Sequence, residues 1–389
     1  MPWPIPTLIS VERPKPISIR VLLPTLAAIA SGAIGAVLLL WPHGKPTQTI
    51  QFWSLLIGAP LAACALAFGL TLNRWEAQQT VAEESEREQQ RIVKLWRDWC
   101  RRHLRVVQSE VFLPVTDEHA PFSTANSDFP MNRERAIGFP WAKERSTAFR
   151  RTRLLHLVAV RFADALKARR EIAVTLMLDD LAPEQTKAWT MRVHRIFSRT
   201  VPEAVLRIET RPATGAAQWL AEQVDRGDAE PQLVVAAQLW PEDEAEHAFS
   251  EGAAAFLVEP VATQTDSVLR PMTTLPETLE AGLAQLMQMQ VAPDRLTHVW
   301  STGCDDESVA IRSALTPDPK ALAEERLLDG IVGKPGPASG WIALATALAA
   351  SSEAGPQLVV WREPESEPVH LCVVAAAAPS PLPHKGTTV

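Results

Sequence analysis

Pro231-Gln232-Leu233-Val234-Val235 recurs, residue for residue, as Pro356-Gln357-Leu358-Val359-Val360. At the same offset of 125, Ala213-Thr214-Gly215 is matched by Ala338-Ser339-Gly340. Each pair reads as a helix start followed by a strand. Thr214–Arg226 is a predicted helix stopped by Gly227, with a strand at Gln232–Leu239. The second copy predicts a helix at Ala338–Ala350 and a strand at Gln357–Trp361. Two matched segments at one offset point to a duplicated α/β unit and a five-layer fold of two similar halves.

The flanking sequence continues the alternation. Predicted strands are Ile172–Leu178, Val205–Glu209, Ala253–Val258, Leu296–Ser301 and Val369–Ala375, and predicted helices are Pro183–Arg199, Pro276–Gln290 and Glu307–Leu315. Helices packed on mainly parallel sheets are expected over residues 151–389.

The N-terminal part is of another kind. Residues 21–72 hold two uncharged runs, Val21–Trp41 and Gln51–Leu72, each the length needed to cross a bilayer. Small residues such as Gly32, Gly35, Gly58 and Ala62 allow close backbone approach in lipid, and Trp41 and Trp53 lie where interfacial aromatics are expected. A signal peptide would have a shorter apolar region and no second span at once after it. Residues 1–20 are read as a cytoplasmic tail. Arg13, Lys15 and Arg20 precede the first span and Arg74, Arg87, Arg91 and Lys94 follow the second, whereas the connection holds only Lys45. The positive-inside rule then places both ends in the cytoplasm of a bacterial inner membrane. Residues 73–113 read as a long amphipathic helix, from apolar positions recurring at three and four, and residues 114–150 as a proline-rich linker or loose wrap.

Composition excludes several classes. A net charge of −7 gives no support for nucleic-acid binding. Cys64, Cys100, Cys304 and Cys372 lie too far apart in sequence for a metal-ligand pattern or a disulfide framework, so no metal and no cofactor is expected. There is no phosphate-binding GxxxxGK[ST] loop and no GxSxG elbow.

Three segments in order resemble the thiolase-like superfamily, and within it the β-ketoacyl synthases. Ser250-Glu251-Gly252-Ala253 looks like the family's GEGA segment between two strands. Trp300-Ser301-Thr302-Gly303-Cys304 looks like HGTGT, and Gly333-Lys334 followed by Ala338-Ser339-Gly340 looks like the GH segment leading into an ASG helix start. The resemblance covers residues 205–376; residues 1–150 have no counterpart in it. It implies a thiolase-like layered α/β body behind a transmembrane hairpin, and a dimer paired through Val205–Glu209.

The family's catalytic set is a cysteine at a helix N-terminus and two histidines. Carried over, the cysteine position holds Pro212, and the histidine positions hold Trp300 and Lys334. Proline has no reactive side chain and indole is a donor only. Lys334 retains the capacity to donate to an oxyanion. His298 shares a strand face with Trp300 and is the replacement candidate; Cys304 reads as a small buried side chain before it reads as a nucleophile. Asp179-Asp180, a strand end, reads as solvated rather than cation-binding. The acidic run Glu242–His247 reads as a solvated loop rather than a docking surface for a basic partner. Arg150-Arg151-Thr152-Arg153 reads as linker charge rather than a lipid headgroup site.

The expectation is a membrane-anchored pseudoenzyme serving as a binding or assembly module with other membrane or cytoplasmic proteins. Its layout resembles accessory proteins of bacterial envelope machines, type VI secretion included. The alternative is an acyl-transferring, condensing enzyme with relocated catalytic residues.

Overall fold

The computed structural model describes residues 2–6, 11–42, 45–115, 131–226, 230–241, 246–259, 265–292, 295–315, 323–351 and 355–376. It divides into a unit of residues 5–96 and a unit of residues 1–4 and 97–389.

In the smaller unit, α1 (Ile19–Leu40) and the start of α2 (Ile50–Cys100) are long and apolar enough to cross a membrane. Their side chains are outward: Leu39 is 83 % exposed and Ile50 is 86 % exposed. In α2 these apolar side chains give way after Leu72 to a charged second half. The tail before α1 lies along α2, where Arg13 pairs with Glu86 at 2.6 Å and the Trp75 indole donates to the Lys15 carbonyl at 3.1 Å. The predicted span and the amphipathic helix are one continuous helix. It ends at Cys100, not at residue 113.

That ending corrects the domain boundary. β1 (His103–Phe112) is a strand of the larger unit, and the layered body therefore starts near residue 97 rather than at 151. The stretch read as a linker is packed as well. Asn132 donates to the Ile331 carbonyl at 2.8 Å, Phe139 and Ala142 are buried, and α3 begins at Thr147 with Ser146 as its cap. Residues 116–130 lie outside the described residues.

The remaining strands are β2 (Glu171–Leu178), β3 (Val205–Pro212), β4 (Gln232–Gln238), β5 (Gly252–Val258), β6 (Asp266–Leu269), β7 (Met272–Thr274), β8 (His298–Thr302), β9 (Glu324–Leu327), β10 (Gln357–Arg362) and β11 (Val369–Ala375). The sheet runs β3-β2-β4-β5-β1 and then β6-β11-β10-β8-β9, with β7 on β11. Read from its two ends the order is the same: an edge strand, a central strand parallel to both neighbours, then two antiparallel steps. The repeated PQLVV segments form β4 and β10, which occupy equivalent places. The duplication read from the sequence is a duplication of topology. The sheet is mixed rather than mainly parallel, because β4–β5 and β10–β11 return antiparallel and β1 and β6 add antiparallel strands. β3, expected to pair two copies, lies at one end of the sheet.

Layering follows from alternation along the strands. Ile172, Val174, Leu176, Leu233 and Val235 pack under α3 (Thr147–Lys167) and α4 (Pro183–Thr200), against Leu154, Val158, Phe162, Trp189 and Phe197. The opposite face, with Val234, Ala236 and Phe256, packs on α5 (Ala216–Arg226) and α9 (Ser339–Ser351). Trp300, Val359, Trp361 and Cys372 of the second half share that core. The rings of Trp219 in α5 and Trp341 in α9 meet edge to face at 5.4 Å. The fully buried Leu358, Val360, Leu371 and Val373 face the other way. On that side α6 (Leu279–Met289) packs with α7 (Ser308–Leu315) and β7. The short helix α8 (Leu328–Val332) closes β9. This is the duplicated, layered α/β class the sequence implies, with two apolar helices before it.

Candidate functional site

The three segments that resemble ketosynthase motifs lie in loops at or next to strand ends and helix starts. Gly303 after β8 and Gly333 after α8 have φ of +66° and +92°. A Cβ at Gly333 would stand 2.2 Å from the Arg135 carbonyl oxygen, so only glycine fits there. Between these loops and the β10–β11 turn is a cleft of about 530 Å³, lined among others by Arg133, Asp305, Asp329, Lys334, Arg362 and Glu363.

Of the carried-over positions, only Lys334 lines the cleft. It is exposed, and its backbone ties the loop down, donating to Arg135 at 2.9 Å and accepting from Ser250 at 2.9 Å. Pro212 is the exposed last residue of β3. Trp300 lies inside β8, fully buried, with its indole donating to Gln357 Oε1 at 2.5 Å and the Arg326 guanidinium 5.3 Å from its ring. It fills the central core rather than the cleft.

A different residue stands at the start of α5. The Glu363 carboxylate, from the β10–β11 turn, accepts from the Gly215 amide at 2.6 Å. Burial raises its pKa, and the Gly215 and Ala216 amides oppose that rise. The positive helix end is thereby satisfied by the chain's own carboxylate. Beside it, Asp329 accepts from the Thr302 hydroxyl at 2.5 Å and from the Gly303 amide at 2.7 Å. Arg362 pairs with the buried Glu307 at 2.6 Å. Glu363 was not legible in the sequence, since its partner amide is 148 residues away.

The other candidates have structural places. Burial pushes the Cys304 thiol up strongly, which disfavours a thiolate. His298 is near Glu324, at 3.5 Å, and burial lowers its pKa. It shares the face of Trp300, with ring centroids 6.3 Å apart. Asp179 accepts from the Asp180 and Leu239 amides, and Asp180 accepts from Ala182 before α4, so the pair organises a turn. Residues 242–245 of the acidic run lie outside the described residues; His247 stacks on Trp240 at 3.6 Å. Arg150 is in α3, not a linker, and pairs with the fully buried Glu251. Among the described residues no group of three or more His, Cys, Asp or Glu side chains is placed to hold a metal ion.

Asp329 carries a pH dependence. Burial raises its pKa from 3.8 to about 6. A carboxyl that binds its proton more tightly when folded favours the fold at low pH, and that contribution is lost as pH rises from about 4 to about 6. Above that window the buried charge costs roughly 3 kcal/mol. Asparagine can keep both contacts, accepting from Gly303 and donating to the Thr302 hydroxyl oxygen. Asp329→Asn is expected to raise the melting temperature at pH 7 and leave it unchanged at pH 4. Equal shifts at both pH values would reject this account.

No family model matches the chain, and no curated protein matches it. Solved structures do. A tetronic acid condensing enzyme, AbyA1, is 16 % identical, covers 70 % of this chain and 100 % of its own, and has a TM-score of 0.47. The 3-oxoacyl-[acyl-carrier-protein] synthase III of Aquifex aeolicus is 14 % identical, with 70 % and 99 % covered and a TM-score of 0.44. The peroxisomal 3-ketoacyl-CoA thiolase of Saccharomyces cerevisiae is 11 % identical, with 71 % and 98 % covered and a TM-score of 0.45. It is described as a five-layered structure constructed from two core domains of identical topology.

Proposed function

We propose that the chain is a membrane-anchored, non-condensing protein with a ketosynthase-like body, acting as a binding or assembly module. The observation that carries the reading is Glu363 on the α5 N-terminal amides. In the condensing enzymes that the sequence resembles, that helix end lowers the pKa of a cysteine. Here a carboxylate takes those amides, and Pro212 offers no sulfur. The exposed Lys334 has no acyl intermediate to stabilise. A role as an accessory subunit of a bacterial envelope machine, such as type VI secretion, fits a body held at a membrane without chemistry of its own.

The purified chain, incubated with acyl-thioesters and analysed by intact mass, should gain no acyl group. Pro212→Cys alone should not change this, because both histidines are missing. A stoichiometric adduct abolished by replacing Cys304 or His298 would establish the condensing alternative instead.

The anchor reading rests on the two uncharged helices and the cations outside them. Reporter fusions at residue 45 and residue 389 should report periplasmic and cytoplasmic positions respectively. Periplasmic activity from the fusion at residue 389 would overturn the hairpin.

A further inference from the structure

The protein is acidic overall, with a net charge of −7, yet its outermost helical layer on the first half is basic. α3 holds five lysines and arginines and one acid, and α4 holds four cations and one acid. The helices on the far side differ: α6 contains one charged residue, Glu280, and α7 one, Arg312. The basicity is therefore placed, not general.

Some of these cations are used inside the fold. Arg150 pairs with Glu251, Arg151 lies over the Trp189 ring at 5.5 Å, and Lys167 pairs with Asp164 at 3.1 Å. Arg153, Lys187, Arg195 and Arg199 are exposed, and no carboxylate among the described residues forms an ion pair with them. Apolar side chains stand among them: Val160 is 68 %, Met191 53 % and Phe149 42 % exposed. Phe149 and Met191 line a groove of about 400 Å³ between α3 and α4, edged by Arg192 and Arg195. Unpaired arginines with exposed aliphatic and aromatic side chains are the composition of a face that rests in a headgroup layer.

We infer that the outer face of α3 and α4 docks on an anionic lipid surface. The arginines meet lipid phosphates, and Phe149, Val160 and Met191 enter the acyl boundary. The inference rests on the membrane-anchored reading, which ties this body to a bilayer through its own chain. Tethering turns a weak contact into an intramolecular one, so affinity too low for capture from solution is enough. The occupant is chosen by charge complementarity: the cytoplasmic leaflet is anionic, and each cation held against it favours docking about fivefold.

The test uses the full chain in lipid nanodiscs, one set of phosphatidylcholine and one with about 30 % phosphatidylglycerol. Co-elution with either disc reports the anchor; amide hydrogen exchange in residues 147–200 reports the face. Exchange along α3 and α4 should be severalfold slower on the anionic discs, and the difference should vanish in about 0.5 M salt. The triple variant Arg153→Glu, Arg195→Glu, Arg199→Glu should lose the difference while still entering discs and melting like the unmodified chain. Equal exchange of the unmodified chain on the two discs, with the chain co-eluting, would overturn the inference without touching the anchor. Protection by added polyglutamate but not by anionic lipid would overturn it in favour of an acidic protein partner. Failure to co-elute with any disc would overturn both readings.

Discussion

Replacing Glu251 with alanine is expected to destabilise the layered body by about 3–5 kcal/mol, a large part of the stability of an ordinary domain. The side chain is fully buried and receives donors from three separate segments. Phe139 N donates to Oε2 at 2.9 Å, Trp240 N donates to Oε1 at 3.0 Å, and the Arg150 guanidinium pairs with Oε1. The carboxylate thus fastens the chain before α3, the first turns of α3 itself and the end of β4 to the start of β5. Removing it leaves a largely buried guanidinium and two amides without their acceptor, and each such loss costs the desolvation already incurred. Glu251→Gln should cost less, since one oxygen remains to accept. Chemical unfolding followed by tryptophan fluorescence measures both. A loss below about 1 kcal/mol for the alanine variant would mean that water replaces the carboxylate and that the pair has little structural weight.

This residue also shows what sequence could and could not say. Ser250-Glu251-Gly252-Ala253 was readable as a family-like segment between two strands, and β4 and β5 are where that reading puts them. Strands buried on both faces, such as β2, β4, β10 and β11, were legible because their apolar runs are unbroken. β1 was not. A register shift between Val106 and Gln108 breaks its alternation, and Leu104, Val107 and Val111 then recur at helical spacing. The strands β6, β7 and β9, of three or four residues, are too short for a periodic signal. At the cleft, Lys334 was found by local pattern and lines the cavity. Trp300 was placed by motif register, but a residue in mid-strand faces a core and not a cleft. Asp329 and Glu363 make their contacts through loops far apart in sequence, and one sequence carries no trace of such pairs.

A chain begun at residue 151 is expected not to fold, whereas one begun at residue 97 should fold cooperatively. β1 lies between β5 and β6, where the two halves of the sheet meet. His103–Val106 pairs with β6, and Val106–Phe112 pairs with β5. Its loss would strip both neighbours of their hydrogen-bond partners and leave two open edges in the middle of the sheet. It would also take Leu104, Val106 and Val111 from the central core and Phe112 from the outer one. At about 1.5–3 kcal/mol for each fully buried apolar side chain, those four contribute roughly 6–12 kcal/mol. That is comparable with the whole stability of a domain, before any hydrogen bond is counted. Starting at residue 97 keeps the strand and the contacts before it. The Trp99 ring lies 3.9 Å from the buried Arg270 guanidinium, Gln290 donates to the Cys100 carbonyl at 2.8 Å, and Arg101 donates to Met289 at 3.0 Å. Near-ultraviolet circular dichroism and a urea transition distinguish the two chains. The shorter one should show no fixed tryptophan environment and no cooperative step. If it unfolds with the same midpoint as the longer one, β1 is an ornament on a body complete without it, and the boundary at residue 151 stands.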